Sequence, residues 1–209
     1  MLQSYLTGLV VCGGIIIAIG AQNAYLLGQA FRREHHWWSA LLCMSADAVL
    51  FTVGMLGVSA ALVAFPSALE VLRWAGVAFL LWLGSTACIR AVRGRSALAA
   101  ELDKRRSLGA VILATLAVTL LNPQVYLDTL LLIPSIGAQQ PDPLLFVVGA
   151  TSASVVWFTL LAWGGSALAP VLASPVAWRT IDGIIALMML AIALHLMFNG
   201  LEAGPVAAI

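Results

Sequence analysis

The chain has 209 residues, 62% of them hydrophobic and 9% charged, with a formal net charge of +1. A water-soluble domain carries about a quarter charged residues, so this chain lacks the polar side chains to cover a water-facing surface. With a mean hydropathy of +1.04, the composition excludes a soluble globular domain and predicts an integral membrane protein.

Crossing the hydrocarbon as a helix takes about 20 apolar residues. Six runs of that kind follow one another: Leu2 to Leu27, Trp38 to Ala64, Leu69 to Ile89, Leu108 to Ile133, Leu144 to Trp163 and Trp178 to Phe198. They are too continuous for barrel strands, which alternate over about ten residues. Because backbone in lipid must satisfy its own hydrogen bonds, the fold class is all-α.

The first run has no Lys or Arg before it and is longer than a signal-peptide core, so it reads as a retained helix. Its stretch "AIGAQNAYLLGQ" sets two amides side by side, Gln22 and Asn23, beside a small-residue stripe of Gly20, Ala24 and Gly28. The stripe suits close helix packing. The adjacent amides point in different directions, one toward a neighbouring helix and one toward a cavity. The second run carries Asp47. The third begins near Arg73 and leads into a basic stretch, "RAVRGRSALAAELDKRR".

The fourth run contains "LLNPQVYLDTLLLIP". Pro123 has no N–H, so the carbonyl of Thr119 loses its helical partner. Such a break is tolerated in a membrane only where the freed groups face protein or a watery cavity. Asn122 supplies both a donor and an acceptor there, and Asp128 lies one turn beyond Gln124 on the same face. The stretch reads as a helix opened to offer carbonyls, an amide and an acid to something cationic. In the fifth run Ser152 and Ser154 are weaker candidates, because Ser often bonds back within its own helix. The sixth carries Asp182, three residues after Arg179 and so within reach of an i,i+3 ion pair, and His195 near its end.

Each intramembrane acid costs about 2.5–3.5 kcal/mol to insert, and such acids line a cavity or pair with a cation. Asp47 and Asp128 have no basic residue within four positions on either side. Arg73 remains a candidate permanent partner, depending on the fold. The cysteines Cys12, Cys43 and Cys88 fall in predicted helices without a CxxC pair, which suggests neither a disulfide framework nor a metal site.

Six spans put loops one, three and five on one side of the membrane. Of the ten Lys and Arg residues, all but Arg73 fall in that group. The positive-inside rule makes those loops cytoplasmic and turns both termini outward. The basic stretch is then a topology determinant beside anionic lipid rather than a nucleic-acid patch. Trp37, Trp38, Trp74 and Trp178 mark helix starts as interfacial anchors.

An internal repeat is also present. "SADAVLF" (Ser45 to Phe51) matches "SASVVWF" (Ser152 to Phe158), and "NAYLL" in the first run matches "QVYLD" in the fourth, with Tyr25 opposite Tyr126. Arg73 and Arg179 begin the third and sixth runs. The expectation is a three-helix unit at 1–90, a basic cytoplasmic linker at 91–107 and a second unit at 108–209. An odd number of helices per unit inserts the second copy upside down, an architecture of carriers that bind their substrate near the midplane, where interrupted helices meet.

The segments "GAQNA", "SADA", "LRWAGVAFLLWLG", "LNPQVYLDT" and "AWRTID" resemble the L-lysine exporter (LysE) family along nearly the whole chain. The resemblance implies a secondary active exporter of arginine or lysine in the bacterial cytoplasmic membrane, exchanging substrate for protons and using no cofactor beyond the proton motive force. Homoserine and threonine exporters of the wider superfamily tend to carry Gly-Pro where this chain has Gln22 and Asn23. Carried over by position, the residues implied for binding or coupling are Gln22, Asn23, Asp47, Asn122, Pro123, Tyr126, Asp128 and Asp182. Asp47 and Asp128 would take the cationic groups. The substrate carboxylate would need N–H groups at a broken-helix N-terminus.

Two other functional classes fit the residues less well. A cation channel or metal-ion transporter would use the same acids, but no ring of repeated acids is present. A membrane-embedded enzyme would need a nucleophile and base, and none is identifiable. The sequence leaves the oligomeric state open.

Overall fold

The computed structural model describes residues 1–17, 20–58, 66–93, 107–170 and 175–199. The basic stretch at 94–106 lies outside the described residues, as does the predicted end of the second run at 59–65.

Four helices are long and apolar enough to cross a membrane unbroken, and two further spans are each built from a bent pair. The first span joins α1 (Leu2–Ile16) to α2 (Ala21–Arg32) at an angle of 78°. The second is α3 (His36–Val53), continued as a π-helix over Gly54–Val58. The third is α4 (Pro66–Arg93). The fourth joins α5 (Leu108–Leu120) to α6 (123–137) at 63°. The middle of α6, Leu127–Leu132, is π-helical. The fifth and sixth are α7 (Pro143–Leu168) and α8 (Pro175–Asn199). The architecture is thus six spans in two three-helix units, each opening with an interrupted helix, as the sequence predicts.

Both breaks arise from local chemistry. In the fourth span Asn122 caps the restarting helix, its Oδ1 accepting from the Gln124 N–H at 3.1 Å, with Pro123 at the first helical position where no N–H is needed. The Tyr126 hydroxyl donates to the Leu120 carbonyl at 2.8 Å, replacing a backbone bond lost at the break. In the first span Gly20 is extended and caps α2. The Asn23 amide reaches back to the Ile16 carbonyl at 2.8 Å.

The two units interlock. Equivalent helices pack on each other, α4 against α8 and α3 against α7, while α1 of the first unit lies along α7 of the second. The α1–α7 crossing depends on two glycines. A Cβ on Gly8 would stand 2.1 Å from the Phe146 carbonyl oxygen, and one on Gly149 2.0 Å from that of Tyr5. No side chain fits either place, so this is where backbones meet directly. In the Gly20, Ala24, Gly28 stripe, Ala24 and Gly28 serve packing. Ala24 belongs to the cluster with Met189 and Ala193 of α8, and Gly28 faces Ile185.

The outward face is apolar. Leu56, Leu113 and Leu187 are 70% or more exposed, a surface suited to lipid and too apolar for water. Trp37 and Trp38 at the start of α3, and Trp74 about two turns into α4, are about half exposed, as interfacial anchors require. Arg73 pairs with Glu70 at 2.9 Å and stacks on Trp74, so it is not the partner of a deeper acid.

Candidate functional site

The two breaks border one cavity of about 630 Å³, within the 300–1,000 Å³ typical of small-molecule sites. Its polar wall comes from both units: Gln22 and Asn23 at the start of α2, Asp47 in α3, and Asn122, Gln124, Asp128 and Thr129 around the second break. Its apolar wall comes from Val10 to Ile16 of α1, Phe51, Ile133 and the end of α8, where His195 also lines the space. These walls lie on the side of the breaks toward α1 and the end of α8.

Asp47 is 3% exposed. Its Oδ2 accepts from the Ser154 hydroxyl at 2.7 Å. Asp128 accepts from Gln124 Nε2 at 2.9 Å through Oδ1. Among the described residues, neither acid meets a Lys or Arg. Gln22 Nε2 is buried at the cavity wall with no oxygen or nitrogen acceptor among the described residues. Asn23 bridges elements instead: its Oδ1 accepts from Trp157 of α7 at 3.3 Å while its amide closes the first break.

Asp182 is elsewhere and otherwise engaged. It is fully buried at the opposite end of the bundle, and its Oδ1 accepts from Arg32 at the end of α2 and from Arg90 in α4 at 3.3 Å. The i,i+3 pairing with Arg179 does not form, because Arg179 donates to the Ala91 carbonyl at 3.0 Å. Arg33 meanwhile donates to the Ser166 carbonyl at 2.8 Å. These contacts tie the ends of four spans together on the side away from the cavity.

Of the residues expected at the site, the cavity wall brings together Gln22, Asn23, Asp47, Asn122 and Asp128. Asp182 is not part of it, and the Tyr126 hydroxyl is spent within the break. For Pro123 only its backbone place, opening α6, is described. Sequence reasoning gave too little weight to Gln124 and Ser154. The i,i+4 spacing pointed to the first, and the internal repeat, which sets Ser154 opposite Asp47, pointed to the second. Among the described residues no three His, Cys, Asp or Glu side chains converge as a metal site requires.

Six membrane spans in two repeated units, with an acid-lined chamber where two broken helices meet, define a transport protein of the inverted-repeat kind. Residues 14–200 match the LysE type translocator family, and the chain belongs to that family. It is 42% identical over 205 residues to a putative amino-acid transporter, YggA, of Aeromonas salmonicida, covering 97% of this chain and 98% of that one. Arginine exporter proteins ArgO of Serratia proteamaculans and Yersinia enterocolitica are each 41% identical, covering 96% and 97% of this chain and 98% and 100% of theirs. No solved structure matches.

Proposed function

We propose that this protein exports basic L-amino acids, arginine or lysine, across the bacterial cytoplasmic membrane in exchange for protons. The observation that carries the reading is the pair of acids, Asp47 and Asp128, held at the cavity wall by the neutral donors Ser154 and Gln124, with no Lys or Arg on either among the described residues. An uncompensated carboxylate in a membrane is costly, and a proton or a cationic substrate removes the cost by turns. An acid that holds one or the other, never both, couples the two fluxes. The arginine exporters among the relatives support the substrate class.

Electrical balance favours the exchange. Carrying one positive charge out against an inside-negative potential costs about 2.3 kcal/mol per 100 mV, and one proton moving inward offsets it. The excess of Lys and Arg in loops one, three and five supports an orientation with those loops in the cytoplasm and both termini outside. The cavity then faces outward, and the Arg32–Asp182–Arg90 cluster closes the cytoplasmic side. The stretch at 91–107 joins two units, 1–90 and 108–209, inserted in opposite senses.

Cells loaded with arginine-, lysine- or threonine-containing dipeptides, with and without the gene, test this directly. Gene-dependent release of arginine or lysine but not threonine is expected. Release of threonine alone would overturn the substrate class.

A further inference from the structure

Asp47 and Ser154 are 107 residues apart, the same offset that aligns "SADAVLF" with "SASVVWF". They are therefore equivalent positions of the repeat, and they touch. Two positions exchanged by a two-fold operation can be in contact only on its axis, where the units meet. The other cavity acid is placed differently, since Asp128 is held by Gln124 of its own helix, within one unit.

We propose that Ser154 is a positioning residue for substrate recognition: its hydroxyl fixes Oδ2 of Asp47 so that Oδ1 is presented to the cavity as a fixed cation acceptor. Ser154 is fully buried, so its hydroxyl has no competing water. It does not bond back to its own helix as Ser152 does to Val148. Oδ1 of Asp47 accepts from no donor among the described residues, and Asp47 lines the chamber. The helix that bears Ser154, α7, carries no ionisable side chain between Pro143 and Leu168. Its contribution to Asp47 is orientation without charge.

The axis adds a consequence. When a carrier of inverted repeats changes the side it faces, the units exchange conformations, and a contact on the axis maps onto itself. The Asp47–Ser154 hydrogen bond thus persists through the cycle, keeping one carboxylate oxygen fixed while the surrounding helices move.

This inference rests on the exporter reading, and the test separates the two. In proteoliposomes with saturable arginine counterflow, Ser154→Ala should raise the half-saturating arginine concentration about tenfold, as loss of a hydrogen bond to a charged group implies. The maximal rate and the amount of inserted protein should stay near wild type, and Ser154→Thr should restore the affinity. An unchanged half-saturation, or a fall in maximal rate alone, overturns the inference. If Ser154→Ala does not insert, the exchange Asp47→Ser with Ser154→Asp decides, because it rebuilds the same pair on the axis. Counterflow regained relative to Asp47→Ser upholds the inference, and an inserted but inactive exchange variant overturns it. Absence of saturable arginine counterflow in the wild-type protein would instead sink the exporter reading.

Discussion

Three aspartates lie within the spans of this protein, and they have opposite surroundings. Asp182 is sealed at one end of the bundle between Arg32 and Arg90. Asp47 and Asp128 face the chamber with a serine and a glutamine for company. In the first region the protein supplies the neutralising charge itself, and the result is a tie between span ends. In the second the described donors, Ser154 and Gln124, are neutral, and they orient a carboxylate without cancelling its charge. The same side chain is thus a permanent tie in one region and a reusable cation site in the other.

That contrast is sharpest in the acids themselves. Asp47→Asn or Asp128→Asn should reduce arginine export to background with the protein still inserted, measured by release from dipeptide-loaded cells and by the amount in the membrane. Asp182→Asn should act through stability. Removing one partner of a buried ion pair costs about 3–5 kcal/mol, visible here as a lower Tm in detergent and less protein in the membrane. Should Asp182→Asn leave stability unchanged and abolish export, the division between the two regions fails.

Smaller effects refine it. Gln124→Ala removes the donor to Asp128 and should weaken substrate affinity by about tenfold, the low end for hydrogen bonds to charged groups, read from counterflow kinetics. Tyr126→Phe removes only the hydroxyl that caps the Leu120 carbonyl. It should cost about 1 kcal/mol of stability with affinity unchanged, measured by thermal unfolding and counterflow together. A large loss of affinity in Tyr126→Phe would bring Tyr126 into contact with substrate after all.

Much of this was legible in the sequence, and the parts that were not share a cause. Asn122 followed by Pro123 announces a helix restart wherever it stands, so the second break could be placed from local chemistry. Asp47 and Asp128 stand out because apolar surroundings leave them no local cation. The partners of Asp182 were not legible, since Arg32 and Arg90 lie 150 and 92 residues away and only tertiary packing brings them together. Arg179, the local choice, turns to the end of α4 instead. The same holds for Tyr126, whose hydroxyl is directed by the angle of a break that spacing alone does not set. The π-helical turns at Gly54–Val58 and Leu127–Leu132 have no local signature, and they lie against each other where Gly54 meets Leu130 and Thr129.

The central claim is that a proton and a basic amino acid take turns on the chamber acids. Its most direct measurement is proton release on binding: arginine is added to purified protein in weakly buffered detergent solution containing a pH indicator. The account predicts that protons enter the solution as arginine binds, and that Asp47→Asn and Asp128→Asn abolish the release. Arginine binding to the wild-type protein with no release of protons at any pH where the acids titrate would contradict it.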